Sequence, residues 1–360
     1  MIKSIKLTNF RNFGKKELSF ESEINFIIAA NASGKTNILE AIYILSLGKS
    51  FKAKLESEII KNDKDICHIE GIFGKEEGFN LKVVLTRGFL DYGKNNIEKV
   101  QKKKLFVNNI ARRQIDFAGN SKATLFLPED IELVTGSPSK RRSYMDYVLS
   151  QIDRNYRKSL LIYEKGLRQR NKILLKIREE RVSRSYLLFW NQLLIKNGAY
   201  ITEKRAEFID YCNTNESLIS NSFSLSYDKS VISEGRLEQY KNEEVLAGTT
   251  LVGPHRDDFV FQKLEKSKTQ NYQTLELSSF GSRGEQRLGV LWLKINEIKF
   301  IEEKTGVKPV LLLDDIFSEL DHNNRKVVVD LIKDYQSIIT TADKHNVPKM
   351  PNAKFQMLNL

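Results

Sequence analysis

Lys35 and Thr36, in the run Ala29-Ala30-Asn31-Ala32-Ser33-Gly34-Lys35-Thr36, are residue types that bind a nucleotide phosphate and its magnesium. Backbone N–H groups of Ala30, Asn31, Ala32, Ser33, Gly34, Lys35, Thr36 and Asn37 at the mouth of a helix can wrap a β-phosphate, and the helix dipole adds to the attraction. Lys35 then reaches the β- and γ-phosphates, and the Thr36 hydroxyl holds Mg²⁺. Far downstream, the apolar run 310–313 ends in Asp314-Asp315. A buried strand with that ending offers Asp314 to Mg²⁺, directly or through water, and Asp315 to orient or deprotonate an attacking water. A third segment, Phe280-Gly281-Ser282-Arg283-Gly284-Glu285-Gln286-Arg287, contains the S-x-x-E capping box of a helix start. A serine cap beside Gly284 suits a γ-phosphate. Lys35 already serves this chain's own nucleotide, so Ser282, Arg283, Gly284, Glu285 and Gln286 read as donors to the nucleotide of a second copy. Ser318 and Asp321, in Ser318-Glu319-Leu320-Asp321, add a D-loop-like stretch.

Each segment alone also fits a plain structural role: an accidental Gly-Lys-Thr, two acids capping a core strand, an ordinary capped helix. Their occurrence together, in this order, points to an ABC-type ATPase head that hydrolyses ATP to ADP and phosphate between two copies. Two departures stand out. A full phosphate loop has glycine where this chain has Ala29, and many related ATPases have another where it has Ala32. If either position needs positive φ, alanine costs about 1 kcal/mol or more, so weak turnover is expected.

The elements that must position these residues follow from periodicity. Runs 2–7 and 23–29 read as strands. Ile38, Leu39, Ile42 and Leu45 fall at helical spacing behind Lys35, and Gly48 marks the end. Strands are expected at Ile66–Phe73, Phe79–Thr86 and 104–107, with Asn108-Asn109 as a hairpin turn. Residues 144–212 are helical in pattern, with Tyr156, Leu160, Tyr163, Leu167, Leu174 and Ile177 on one face and Arg170 interrupting it. Two helices of about 25–30 residues, roughly 38–45 Å long, fit there. Strands return at 223–227 and 258–262, a helix follows Ser282, and another at 323–333 precedes a strand at 337–340. The expected architecture is α/β, a P-loop NTPase of ABC/SMC head type: a mixed sheet with helices, plus an inserted mainly helical lobe. Its parts are 1–125 and 246–360 for the ATPase and 126–245 for the lobe.

The chain has 360 residues and a net charge of +12, 58 basic against 46 acidic. That balance favours a polyanionic partner, nucleic acid before a membrane surface. No apolar run approaches the roughly 18–20 residues of a membrane span, and the opening residues lack a signal-peptide core. Cys67 and Cys212 have no CxxC spacing, and the four histidines are scattered, so a reduced, cytoplasmic protein is expected. Residues 154–184 carry eleven Lys or Arg against three Glu, a local +8; such a run is usually a solvated helix face. Lys102-Lys103-Lys104 read as guards of an edge strand. Arg112, Arg113, Lys140, Arg141 and Arg142 flank the junction of the lobes and are the better DNA candidates. Nothing resembles a base-reading module, so binding should be independent of sequence.

The motifs extend into a wider resemblance. Leu7-Thr8-Asn9-Phe10-Arg11-Asn12-Phe13, Lys35-Thr36-Asn37-Ile38-Leu39-Glu40-Ala41-Ile42, Phe126-Leu127-Pro128-Glu129-Asp130-Ile131-Glu132-Leu133-Val134, Leu251-Val252-Gly253-Pro254-His255-Arg256-Asp257-Asp258 and Leu313-Asp314-Asp315-Ile316-Phe317-Ser318-Glu319-Leu320-Asp321 are similar to the RecF family of SMC/ABC-type ATPases. So are Arg141-Arg142 and Arg168-Gln169-Arg170-Asn171. The resemblance implies ATP and Mg²⁺ as cofactors and an ATP-dependent homodimer with slow turnover. It also implies DNA binding at single-strand gaps, junctions or duplex, with RecR and RecO-like mediators assisting RecA loading in repair, replication and the SOS response. The family's Q-loop and histidine switch fall near Glu129 and Thr340-Thr341-Ala342-Asp343. Three other readings fit less well. A transport-type ABC subunit would carry Leu-Ser-Gly-Gly-Gln where this chain has Gly281-Ser282-Arg283-Gly284-Glu285-Gln286; a long-armed SMC scaffold needs a far longer insert; and a nucleotide-insensitive DNA-binding scaffold is kept in view by the two alanines.

Overall fold

The computed structural model describes residues 1–74, 78–91, 97–215, 222–266, 272–348 and 354–360, and the chain divides into two compact units, 1–130 with 301–360, and 131–300.

The first unit is built on two large sheets, with a small two-stranded one, Phe89–Asp91 and Ile97–Lys99, besides. One is five-stranded and parallel, in the order Ala123–Phe126, Val310–Asp314, Ser337–Thr341, Ile24–Ile28, Phe355–Asn359. Its four inner-sequence strands are buried along their whole length. Burial on both faces leaves no apolar–polar alternation along them, most plainly in the run 310–313, and polar residues they carry, such as Asn25, Thr124 and Ser337, are buried too. The other sheet is six-stranded and antiparallel, in the order Phe13–Ser19, Ile2–Phe10, Ile66–Phe73, Phe79–Thr86, Lys103–Val107, Ile110–Arg112. Its strands alternate: Cys67, Ile69 and Phe73, with Leu81, Val83 and Leu85, point inward. The helix Lys35–Leu47 touches strands of both sheets and is buried nearly all round, so its two faces are both apolar. Gly71 allows the close approach: a β-carbon there would meet Leu45 at 2.6 Å.

Strands Ile66–Phe73 and Phe79–Thr86 lie at the expected limits, and Asn108 and Asn109 adopt φ of 49° and 64° in the hairpin turn. Several strands were not expected, among them three in these sheets. Phe13–Ser19 is a lysine-bearing edge with one buried residue, Phe355–Asn359 is a half-exposed edge, and Ala123–Phe126 is too short to stand out. Lys103 is not an edge guard, since Ile110–Arg112 pairs outside its strand; its ammonium sits on Glu56 and on Gly48 O at 3.2 Å.

The second unit holds the helices Pro138–Ile152, Arg154–Glu180 and Leu188–Thr214, with an antiparallel sheet in the order Phe223–Asp228, Asp258–Lys266, Tyr272–Glu276. The two long helices have 27 residues each, and pack closely where a β-carbon on Gly166 would meet Leu193 at 2.6 Å. The unit runs on to 300, beyond the expected lobe limit of 245, because Asp258–Lys266 pairs with Phe223–Asp228 and the Asp258 carboxylate receives Arg141. Helix Arg283–Thr305 spans the division between the units. Arg170 breaks the apolar face for a reason. It is 2% exposed, and its guanidinium donates to Glu244 at 2.6 Å, Thr250 Oγ1 at 2.8 Å and Asn191 Oδ1 at 2.8 Å. A second polar knot joins Arg205 to Asp146 at 2.8 Å and Asp257 at 3.1 Å, with Tyr227 also donating to Asp257 at 2.5 Å. Among the described residues, no helix is long and apolar enough to cross a membrane.

Candidate nucleotide site

Strand Ile24–Ile28 runs into a loop and then into helix Lys35–Leu47, the order a phosphate loop needs. Gly34 takes φ 106°, and a β-carbon there would strike the Phe13 ring at 2.7 Å and the Asn12 amide at 2.8 Å, so only glycine fits. Ala32 also lies in the left-handed region, at φ 63°, whereas Ala29 does not. The steric doubt about the two alanines thus narrows to Ala32. Lys35 is buried, and its Nζ donates to Ala29 O at 2.6 Å and Ala30 O at 3.0 Å, curling the loop around the ammonium. Asn31 Oδ1 lies 3.5 Å from the same nitrogen.

The parallel sheet brings residue 314 beside residue 36. Thr36 Oγ1 donates to Asp314 Oδ2 at 2.7 Å, and Thr340 Oγ1 donates to Asp314 Oδ1 at 2.5 Å. Both carboxylate oxygens are therefore held by hydroxyls, one from the start of helix Lys35–Leu47 and one from Thr340, which pairs with Asp314 on the adjacent strand. Thr340 was legible as a strand end and, by resemblance, as part of the switch segment; its part in seating Asp314 has no signature in residue type. Asp315 takes φ 47°, and its N–H donates to Thr340 O at 3.1 Å and Thr340 Oγ1 at 3.1 Å. Ser318 Oγ donates to Asp315 O at 2.7 Å, and Asp321 caps its helix by accepting from Asn324 N at 2.9 Å. The Thr36–Asp314 pair suits Mg²⁺, which takes few protein oxygens and keeps waters and phosphate oxygens for the rest. Among the described residues no cluster of three or more acidic, His or Cys side chains offers another metal site. Glu129 is exposed just beyond strand Ala123–Phe126, and Asp343 caps the short turn that follows Thr341.

The Ser282 segment belongs to the second unit. Its capping box closes reciprocally: Ser282 N donates to Glu285 Oε2 at 2.7 Å, and Glu285 N donates to Ser282 Oγ at 3.3 Å. That backbone bond, then Lys263 at 3.0 Å, holds the Glu285 carboxyl below its usual range. Gln286 is buried and ties the preceding turn by donating to Leu277 O and Gly281 O at 3.3 and 3.2 Å. Ser282, Arg283 and Gly284 stay exposed, and a β-carbon on Gly284 would meet only Ser282 Oγ, at 4.0 Å.

The DNA candidates separate. Arg112 and Arg113 are exposed, Arg113 sharing Asp116 at 3.2 Å. Lys140 is exposed and paired with Glu132. Arg141 is not a phosphate contact. It is buried, with Nε and Nη2 bonded to the two oxygens of Asp258 at 2.6 and 2.8 Å and Nη1 on Gly136 O at 2.7 Å. Arg142 is half-buried and donates to Asp257 O at 2.9 Å. Both arginines brace the second unit.

A phosphate loop feeding a parallel sheet, a Thr–Asp pair at its edge and a separately capped Ser-x-x-Glu helix define a P-loop ATPase head of the ABC/SMC class. Comparison with known proteins agrees and goes further. The family model described as the RecF/RecN/SMC N terminal domain matches residues 1–358. The DNA replication and repair protein RecF of Caldanaerobacter subterraneus subsp. tengcongensis is 34% identical, over 96% of this chain and 95% of its own. That of Halalkalibacterium halodurans is 35% identical, over 95% and 92%. A solved structure of RecF with ATP, a recombination mediator protein in the RecFOR pathway, superposes with a TM-score of 0.82 at 32% identity, over 96% of this chain and 93% of that one. An SMC head bound to a domain of ScpA, at TM-score 0.50 and 16% identity, shares the fold. The chain belongs to the RecF family of DNA replication and repair proteins.

Proposed function

We propose that this chain binds MgATP at the Lys35 loop, dimerises on ATP to clamp DNA near single-strand gaps, and assists RecA loading with RecR and RecO-like mediators. The observation that carries the ATP reading is the Thr36–Asp314 hydrogen bond at 2.7 Å, which joins the two halves of a phosphate site from positions 278 residues apart. In this reading Lys35 leaves the Ala29 and Ala30 carbonyls for the phosphates, and Thr36 and Asp314 hold the Mg²⁺. When bound, that ion neutralises phosphate charge and draws electron density from the γ-phosphoryl group. Asp315 orients and accepts a proton from the attacking water. Ser282 and the exposed N–H groups at the start of its helix serve the nucleotide of the partner copy, so hydrolysis is slow and depends on dimerisation. The exposed Arg112 and Arg113 contribute to a sequence-independent DNA contact.

The test is an Asp315→Asn variant followed by light scattering with no nucleotide, ATP, ADP, and ATP plus duplex DNA. The expected result is an ATP-dependent dimer that accumulates in the variant, decays with hydrolysis in the parent, and is favoured by DNA. A monomer under every condition, with DNA affinity unmoved by nucleotide, would replace this reading with a nucleotide-insensitive DNA-binding scaffold.

A further inference from the structure

Asn12 occupies the two-residue turn between strands Ile2–Phe10 and Phe13–Ser19, where Phe10 pairs with Phe13. Its Nδ2 donates to Ser33 O at 2.9 Å, and its Oδ1 accepts from Asn37 Nδ2 at 2.9 Å. One side chain therefore bridges both flanks of Gly34-Lys35-Thr36. The same amide is what a Gly34 β-carbon would strike, so the turn is seated directly against the loop backbone.

The turn itself is held under strain. Arg11 has φ 51°, a left-handed conformation that hairpin turns require and non-glycine residues resist. Its guanidinium is fixed by Glu40, which is fully buried one and a half turns beyond Lys35. Nε and Nη2 donate to the two Glu40 oxygens at 2.8 and 2.6 Å, and Nη1 donates to Glu58 O at 2.8 Å. Ser50 Oγ donates to Glu40 Oε1 at 2.5 Å, and Arg11 N donates to Ile59 O at 2.8 Å. A bidentate fork fixes direction as well as distance. Strain held at an over-determined position beside a ligand loop is characteristic of binding sites.

We propose that Asn12 is a positioning residue for nucleotide binding, holding the Ser33–Asn37 turn in its phosphate-wrapping shape, and that the Arg11–Glu40 pair acts on the phosphate loop through it. The inference rests on the ATP reading above. The test titrates the full-length chain with a fluorescent N-methylanthraniloyl ATP, for the parent, Asn12→Ala, Asn12→Asp, Glu40→Gln and the Asn12→Ala/Glu40→Gln pair. Thermal unfolding without nucleotide is measured alongside. Asn12→Ala should weaken binding about tenfold, which is about 1.4 kcal/mol, while the unfolding temperature moves by no more than about 2 °C. Asn12→Asp keeps the acceptor for Asn37 but loses the donor to Ser33 and adds a negative charge beside the loop, so it should bind no better than Asn12→Ala. Glu40→Gln should weaken binding by a similar factor yet add nothing in the Asn12→Ala background, the non-additivity expected of a single chain of action. Binding by Asn12→Ala within twofold of the parent, or effects of the two substitutions that multiply, overturns the proposal. The two Asn12 variants decide the matter alone if Glu40→Gln does not fold. A parent chain that fails to bind the analogue overturns the ATP reading itself, a result distinct from parent binding that the Asn12 variants leave intact.

Discussion

Replacing Arg170 with alanine should lower the unfolding free energy by about 3–5 kcal/mol, the range for removing one partner of a buried ion pair. The side chains of Arg170 and Glu244 are 2% and 1% exposed. The substitution leaves the Glu244 carboxylate without its counter-charge, keeping only the Leu251 N–H at 2.9 Å on Oε1. It also strips a donor from Thr250 Oγ1 and one from Asn191 Oδ1, each lost partner costing about 1–3 kcal/mol before relaxation. Local shifts and entering water recover part of the total, so the sum of the separate terms is an upper bound. Both tryptophans of the chain, Trp190 and Trp292, lie in the second unit, so tryptophan fluorescence in urea follows the unit that holds the pair. The double variant Arg170→Met/Glu244→Gln removes both charges and keeps an acceptor for Leu251. It should be at least about 2 kcal/mol more stable than the two single effects added together. A loss under about 1 kcal/mol for Arg170→Ala, the value of an exposed pair, would refute the claim that the knot is dry and strongly coupled. Additivity in the cycle would refute it too.

Further outcomes follow from other sites. His255 accepts from Tyr163 O–H on Nδ1 at 2.8 Å and donates from Nε2 to Thr250 O at 3.1 Å, and burial pushes its pKa from 6.5 down to about 4. The unfolded chain takes up a proton below pH 6.5 that the fold refuses until about 4. Stability is therefore full above pH 6.5 and declines below it, by about 2 kcal/mol between pH 7.5 and pH 5. His255→Gln should lose that component in urea titrations at the two pH values, and an unchanged pH dependence would discard the assignment. Ala32→Gly relieves about 1 kcal/mol of left-handed strain but frees the unfolded chain by about 0.4–1 kcal/mol. Its ATP affinity should stay within about threefold of the parent, and a tenfold gain in a nucleotide titration would mean that the strain is paid on binding. Arg112→Ala with Arg113→Ala should flatten the logarithmic salt dependence of DNA binding by about 2, at about 0.9 per phosphate contact. Arg141→Ala should instead reduce stability in urea, by stranding Asp258; a selective loss of DNA binding with stability intact would reverse that ordering.

The nucleotide half of the fold was legible because its signals are local. Gly-Lys-Thr at a strand–helix joint and paired aspartates after an apolar run each sit within a few residues of one another, as does Ser-x-x-Glu, and the sheet then brings the first two together. Strands covered on both faces announce themselves as apolar runs. Edge strands such as Phe13–Ser19 did not, since one buried residue in a lysine-bearing segment leaves no period. The roles of charged residues were less legible still. Arg141, Arg170 and Arg205 look like surface cations by type, and only their distant partners Asp258, Glu244 and Asp257 identify them as internal struts. Sequence spacing carries no trace of pairings between positions 117, 74 and 52 residues apart. The contacts of Thr340 and Asn12 escaped for a related reason: each side chain bridges two neighbours that only the sheet or the turn brings close.

The order of strands in the parallel sheet has a consequence for how the chain is made. Strand Ile24–Ile28, which carries the phosphate loop, is flanked by Ser337–Thr341 and Phe355–Asn359. At about 5–20 residues per second on a ribosome, it waits roughly 15–60 seconds for its neighbours to be synthesised. Residues 131–300, by contrast, are contiguous in the chain and emerge complete while that strand is still without partners. The unit with the phosphate loop is therefore the last part of the newborn protein to close, and until then an apolar segment with both backbone edges open depends on whatever shelters nascent chains. Translation that stops before residue 337 yields a chain whose second unit is fully encoded and whose nucleotide site cannot form.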